Sequence, residues 1–310
     1  MYPYCSEDHL NFSYRKPLIL KEILGYNADV VALQECDVKF FDNDLSLVMK
    51  MNGYLGHMKI KSTNVQEGEA IYYRSNKFNV VGSHDISIAD YFNNSENAEI
   101  LRLRLETLSD VRQCLSGRNT VLQILALQVK DNSNHVILVC NTHLYFHPTA
   151  NLIRVCQVIL CLTRLEEIKR YYEKEGRTVS IIWAGDFNST TTSLAFHLIF
   201  TNSLLRDTTH KQYDEDYHTL TKDFDYFHSL NLMTYANYDY TAYLPSYSDV
   251  LDHIFFDQTT LSFKRCIPMP SHSEVTEFVG LPSCKIPSDH LAVIVDLEMR
   301  QDITNNLKAN

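Results

Sequence analysis

Five short polar clusters stand where runs of β-prone apolar residues stop or start: Leu33-Gln34-Glu35, Asn141-Thr142-His143, Gly185-Asp186-Phe187-Asn188, Leu251-Asp252-His253-Ile254-Phe255 and Ser288-Asp289-His290. Strand ends are where side chains leave a core and can converge on a ligand. Carboxylates, amides and imidazoles delivered there from distant segments are the groups that metal-assisted hydrolysis at a phosphoryl centre needs. Glu35 suits a hard divalent cation such as Mg²⁺, with Mn²⁺ as a substitute, because such ions prefer carboxylate oxygen. Asp186 can orient or deprotonate a water. Asn188, two residues on along a segment read as extended, points the same way and can hold that water or a phosphoryl oxygen. Gly185 lets the backbone approach closely.

His290 has two carboxylates on offer, the adjacent Asp289 and the distant Asp252, to fix its tautomer and hold it cationic over a phosphate. His143 offers a second imidazole to the same phosphate, whereas His147 and His253 read more naturally as structural. Tyr145, Phe146 and Phe187 could stack on a base or simply pack.

The elements that must position these groups constrain the architecture. Strands are expected at Asp29 to Leu33, Ala70 to Arg74, Asn79 to Ile88, Thr120 to Gln128, His135 to Cys140, Thr178 to Ala184, Asp252 to Asp257, Leu261 to Ile267 and Leu291 to Leu297. Helices are expected over Tyr14 to Leu24, residues 98 to 116, Asn151 to Lys174 and Thr191 to Asn202. Glu35, His143 and Asp186 follow their apolar runs, whereas Asp252 and His290 precede theirs. In an all-parallel sheet those two sets would lie on opposite rims, about 15 to 20 Å apart. Convergence therefore requires antiparallel neighbours, which favours a two-sheet sandwich flanked by helices.

Composition limits the alternatives. The 310 residues are 45% hydrophobic and 21% charged, enough for a substantial core, and no linker or repeat marks a boundary. A single domain over residues 1–310 is expected. The longest apolar stretch, around Val155 to Leu162, falls short of the roughly 20 residues of a membrane span, so no membrane partner is expected. A net charge of −10 argues against a protein that tracks long nucleic acid through a basic groove. Part of that excess, Asp214-Glu215-Asp216 and Asp223 to Asp225, reads as a solvated insertion. The 8 cysteines are dispersed without zinc-ligand spacing and read as free thiols of a reducing compartment. Three glycosylation-type tripeptides, beginning at Asn11, Asn93 and Asn188, would matter only in a secreted chain.

Leu33-Gln34-Glu35, Gly185-Asp186-Phe187-Asn188 and Ser288-Asp289-His290, in this order, resemble the endonuclease/exonuclease/phosphatase superfamily. Asn141-Thr142-His143-Leu144-Tyr145 with His147-Pro148 is similar to its deadenylase branch. Tyr2-Pro3-Tyr4-Cys5, Gly25 to Val30, His84 to Ser87 and Ile267 to His290 extend the resemblance over nearly the whole chain. It implies a four-layer α/β sandwich, two mixed β-sheets packed face to face and flanked by helices. It further implies a Mg²⁺-dependent 3′-to-5′ exoribonuclease that releases AMP from 2′,5′-oligoadenylate and from oligo(A) or poly(A) tails. A general 3′,5′-poly(A) deadenylase and a non-catalytic adenylate-binding protein are the alternatives. RNA 3′ ends or adenylate oligonucleotides are the expected partners, with no obligate protein partner.

By the same resemblance Glu35 would bind one Mg²⁺, and Asp186 with Asn188 would bind the second and position the attacking water. His143 and His290 would contact the scissile phosphate, Asp252 would orient His290, and Asp289 would support the metal site. Asn141, Tyr145, Phe187 and Arg74 are the substrate-contact candidates. Members of the family begin the domain with a buried strand carrying Tyr-Asn-Ile-Leu, whose Asn lies at the metal site, and no such segment stands before Tyr2. The expectation is a longer chain that carries this strand and a mitochondrial targeting segment, or a cytoplasmic protein if Met1 is the true start.

Overall fold

Strands covered on both faces are apolar almost throughout, and the two longest such runs, Val121–Val129 and the latter half of Asn132–His143, form the centre of the larger sheet. The structure, a computed structural model, describes residues 2–204, 218, 220–222, 225–235 and 237–300. The acidic residues Asp214 to Asp216 and Asp223 lie outside the described residues.

A three-stranded sheet has the order β1 (Val30–Asp37), β3 (Val65–Arg74), β2 (Tyr54–Ser62) and is antiparallel throughout. The larger sheet has seven strands. Its chain-order members are β4 (Phe78–Ser83), β5 (Ile86–Ser87), β6 (Val121–Val129), β7 (Asn132–His143), β8 (Thr178–Asp186), β11 (Leu232–Thr234) and β14 (Asp252–Asp257). In space they run β11-β14-β8-β7-β6-β4, with β5 also on β6. Among the described strands only β7 and β8 are parallel neighbours, and their crossover is the helix Asn151–Lys174, as parallel pairing requires. Short pairs complete the described strands: β9 (Ser203–Leu204) with β10 (Tyr226–Phe227), β12 (Ala242–Leu244) with β13 (Tyr247–Asp249), and β15 (Leu261–Cys266) with β16 (Val295–Met299).

Three apolar seams weld four layers, as the sequence leads one to expect. Ile71 and Tyr73 meet Leu125, Leu127, Ile137 and Val139 between the sheets. Tyr54, Ala70 and Tyr72 pack under the helix Phe12–Tyr26 through Ile19, Leu20 and Ile23. On the far side Trp183, Phe187 and Phe255 pack with Val155, Ile159 and Leu162 of the crossover helix. That helix is apolar on nearly every face because the helices Ile88–Asn94, Ser109–Ser116 and Leu194–Thr201 also pack against it. No helix among the described residues is long and apolar enough to cross a membrane. The cysteines are free thiols.

Several expected elements are redrawn. The 98–116 helix is two, Glu99–Arg104 and Ser109–Ser116. The helix expected from Thr191 starts at Leu194, where the Ser193 hydroxyl caps it by accepting from the Phe196 N–H. The strand expected from Leu291 begins only at Val295, because Leu291 donates its N–H to the Thr241 carbonyl, 2.7 Å away, and His290 bridges to Ala242. The smaller sheet is antiparallel rather than mixed, and the mixing is confined to the larger one. Strand β2, with its interleaved His57, Lys59 and Lys61, has too weak a pattern to be read in advance. The outer edge of β1 pairs with no described strand.

Candidate active site

Strand register, more than loop geometry, assembles the centre. On β8, Asp186 lies opposite His143 of parallel β7 and opposite Asp252 of antiparallel β14. A carboxylate at one strand's end thus meets a carboxylate at another's start, the arrangement that antiparallel neighbours were expected to supply. His143 Nε2 lies 3.6 Å from Asp186 Oδ2, and His290 Nε2 lies 4.0 Å from that same oxygen. Gly185 is required by close approach: a Cβ there would lie 2.1 Å from the Thr142 carbonyl oxygen. Immediately after Asp186 the chain turns. Asp186 Oδ1 accepts the Asn188 N–H at 2.8 Å, and Asn188 adopts φ +47°, a left-handed conformation that asparagine tolerates. The Asp186–Asn188 segment is therefore a tight Asx turn and not extended. The Asn188 side-chain N–H₂ donates to the Leu144 carbonyl at 2.9 Å, which leaves its amide oxygen for a ligand.

His290 is held by Asp252, 2.7 Å from Nδ1 to Oδ2, and Asp252 Oδ2 also accepts from the Thr241 hydroxyl at 2.6 Å. Burial by itself would lower the His290 pKa. The hydrogen bond and charge of Asp252, joined by Asp186 and Asp289, outweigh it and raise the imidazole to about 10. His290 is a fixed cation at neutral pH. His143 is the opposite case: burial first, then Lys61 and His290, lower it to about 4, so it is neutral. Asp186 is pushed up from the carboxylate range by burial and by Asp252, against the pull of His290.

The smaller sheet contributes Glu35 through a bulge. Gln34 and Glu35 together face one residue of β3, because the register slips between Leu33 and Cys36, and Glu35 has φ +53°. This turns its carboxylate toward His143, 3.7 Å from Oε1 to Nδ1. Glu67, Lys61, Asp289 and His290 lie within electrostatic reach of it. Nearby Glu69 is fully buried and neither of its oxygens has a hydrogen-bond partner among the described residues; burial raises it to about 8.

These residues fit a divalent cation. Among the described residues His143 Nδ1 is buried without a hydrogen-bond partner, the Glu35 carboxylate beside it accepts no hydrogen bond, and the Asn188 amide oxygen has no donor. Ligand atoms of Asp186, Asp252 and His290 also lie within 4.8 Å of one another, a spacing that could hold an ion. That spacing is set by the His290–Asp252 ion pair, and a protonated imidazole is no metal ligand.

The structure brings together Glu35, His143, Asp186, Asn188, Asp252, Asp289 and His290. It does not bring the remaining candidates to them in the expected way. Asn141 is fully buried; its amide donates to the Leu33 and Ala70 carbonyls and accepts from Gln34 at 2.6 Å, so it staples one sheet to the other. Phe187 is 1% exposed and packs against Trp183 and Phe255. Arg74 lies at the far end of β3, paired in register with Tyr54, where it donates to Asn27 and Asn52 and covers the Tyr54 ring. Lys61 rather than Arg74 joins His290 in acting on Glu35 and His143. Tyr145 remains at the rim, half-buried, with Arg118 4.3 Å above its ring. His253 is structural, buried against the Ser189 carbonyl. Thr241, Lys61 and Glu69 escaped notice: Thr241 has no neighbouring motif, and the β2–β3 residues carry no signal until their strands are paired.

The fold is an α/β sandwich in which an Asp–His ion pair on one side of the cleft faces a second acid from the other sheet. The chain belongs to the Endonuclease/Exonuclease/phosphatase family, whose family model matches residues 10–290. Over 301 residues it is 34% identical to 2′,5′-phosphodiesterase 12 of Mus musculus and 33% to that of Homo sapiens, covering 97% of this chain and 48% of each relative. It is 26% identical to the CCR4-Not complex 3′-5′-exoribonuclease subunit Ccr4 of Candida albicans, covering 99% of this chain and 40% of that one. The chain therefore spans about half the length of the curated relatives it matches. Among solved structures, ANGEL2, a 2′,3′-cyclic phosphatase, superposes with a TM-score of 0.78 at 21% identity, covering 97% of this chain and 90% of that one. The human Nocturnin catalytic domain gives 0.62 at 20% identity, covering 94% and 88%.

Proposed function

We propose that the chain is the catalytic part of a divalent-cation-dependent phosphodiesterase that releases AMP from 2′,5′-oligoadenylate and from the 3′ adenylate tails of RNA. The observation that carries the chemistry is the cationic His290 held by Asp252 beside Asp186, with neutral His143 and Glu35 opposite. The substrate class rests on the one-third identity to 2′,5′-phosphodiesterase 12 and the more distant similarity to Ccr4. Glu35, with the Asn188 amide oxygen, would hold Mg²⁺, and Mn²⁺ would serve in its place. When bound, the ion neutralises phosphate charge and polarises the phosphoryl oxygen. His290 stabilises charge that develops on the phosphate, and Asp252 keeps it protonated. Asp186, whose raised pKa gives it basicity near neutral pH, orients the attacking water and accepts its proton. Lys61, ion-paired with Glu67 at 2.6 Å, adds a positive charge that reaches Glu35 and His143. Tyr145 and the half-exposed Tyr247, close enough to Asp186 to feel its charge, offer ring faces to a base.

Linkage-resolved AMP release tests the reading. Mg²⁺-dependent AMP from 2′,5′-linked triadenylate, abolished by chelation, is expected. Cleavage of 3′,5′-oligo(A) alone would assign a general deadenylase instead, and no AMP from either linkage would refute the proposal.

A further inference from the structure

The segment that carries Asp289 and His290 has no regular structure of its own between Val279 and Ile294. On one side Thr241 and Tyr243 hold it, since Leu291 donates its N–H to the Thr241 carbonyl and Tyr243 donates to the Asp289 carbonyl. On the other side the N-terminal residues reach across some 270 to 290 positions of sequence. Tyr4 donates its hydroxyl to the Leu281 carbonyl, and Tyr14 donates to the Cys284 carbonyl at 2.9 Å. Arg15 Nε donates to the Pro287 carbonyl at 2.6 Å. Tyr2 donates its hydroxyl to Asp289 Oδ2 at 2.9 Å. Three of these bonds fix the backbone leading to the histidine. The fourth is different, because it ends on a functional carboxylate.

We propose that Tyr2 is a positioning residue: its hydroxyl fixes the Asp289 carboxylate between Glu35 and His290, with residues 4–15 acting as a strap that sets the height of the loop. The charge of Asp289, like that of Asp186, reaches both sides of the cleft and acts on His290 and on Glu35, but Asp289 stands on the strapped loop and its Oδ2 accepts from Tyr2. A carboxylate free to rotate would serve neither side consistently. With Oδ2 accepting from Tyr2, Oδ1 remains for the cation or for a water bound to it. Partners of this kind behind metal-site carboxylates typically change metal affinity or activity 10- to 100-fold, roughly, when removed. The two aromatic rings of Tyr2 and Tyr4 meet edge to face, 6.3 Å between centroids, so loss of one hydroxyl leaves the strap packed.

The proposal rests on the hydrolytic, cation-dependent reading of the centre. Its test is a double-mutant cycle of Tyr2→Phe and Asp289→Asn, read by Mn²⁺ calorimetry, by kcat and KM for AMP release, and by Tm. Tyr2→Phe is expected to weaken Mn²⁺ binding about tenfold and to raise the Mn²⁺ needed for half-maximal kcat by a similar factor. KM for the oligonucleotide and Tm should stay close to the wild type, and in the Asp289→Asn background Tyr2→Phe should change nothing further. Unchanged Mn²⁺ affinity, effects that simply add across the cycle, or a loss that tracks a falling Tm would overturn it. If the wild type binds Mn²⁺ but releases no AMP, the adenylate reading fails while calorimetry still decides the role of Tyr2. A wild type that binds no Mn²⁺ overturns both.

Discussion

The two sheets contribute unlike halves to one cleft. On the larger sheet the charged groups are wired to one another before any ligand arrives: Asp186 accepts from the Asn188 N–H, Asp252 from Thr241 and His290, and the register of β7, β8 and β14 fixes their spacing. On the smaller sheet the corresponding groups have spare capacity. Glu35 projects from a bulge with no hydrogen bond to its carboxylate among the described residues, the face of His143 turned toward it has a bare Nδ1, and Glu69 is buried with both oxygens bare. The lesson is one of division of labour. On the proposed reading, a preformed hydrogen-bond network would position proton and phosphate chemistry, and an incomplete one would mark where a cation binds.

Removing the wired side should have the largest effect. Asp186→Asn keeps the shape and the turn but removes basicity, and AMP release should fall roughly 10³-fold or more with Tm little changed. A residual rate within tenfold of the wild type would mean that Asp186 is not the base. The spare side should show itself first in stability. Glu69 has a folded pKa of about 8 against an ordinary value of 4.5. The native state therefore binds more protons than the unfolded chain between those values, and stability is lost as pH rises through that interval. In chelator, Glu69→Gln should remove this dependence and raise stability at pH 8.5 by on the order of 3 kcal/mol relative to the wild type, with little change at pH 5. Denaturant unfolding at the two pH values checks it; equal effects at both would contradict the burial of an uncompensated charge.

Asn141→Ala attacks the staple between the halves. It leaves the Leu33 and Ala70 carbonyls and the Gln34 amide without their partner, so unfolding free energy should drop by about 2 kcal/mol, and kcat should fall because Glu35 shifts relative to Asp186. A loss of substrate affinity without loss of stability would instead return Asn141 to the substrate. The smallest effect on kcat is expected at Glu35→Gln, where one carboxylate charge becomes an amide: the Mg²⁺ required for half-maximal activity should rise by more than the roughly tenfold that loss of a supporting partner costs, with kcat recovered at high Mg²⁺.

What could be read from the chain in advance follows the same division. Apolar runs that stop at a polar cluster located β1, β7 and β8, one that starts from a cluster located β14, and the opposed placement of Asp186 and Asp252 required the antiparallel step that puts them in register. His290 and its partner were legible as a pair of alternatives, which the 2.7 Å contact resolves in favour of Asp252. The Glu35 bulge was not legible, since a one-residue slip in pairing leaves no compositional trace. Nor was the burial of Glu69, which depends on which face of β3 meets the larger sheet. Phe187 and Asn141 misled because a strand-end position does not say whether a side chain faces cleft or core; pairing and twist decide that.

The most direct test of the division is a Mg²⁺ titration followed by NMR of the His143 and His290 ring signals. Before Mg²⁺ is added, His290 should be cationic at pH 8 and His143 neutral at pH 6, in line with values of about 10 and about 4. Added Mg²⁺ should then shift His143 and leave His290 charged and bonded to Asp252. Mg²⁺ that discharges His290 while His143 stays unmoved would place the ion among Asp186, Asp252 and His290 and contradict the account.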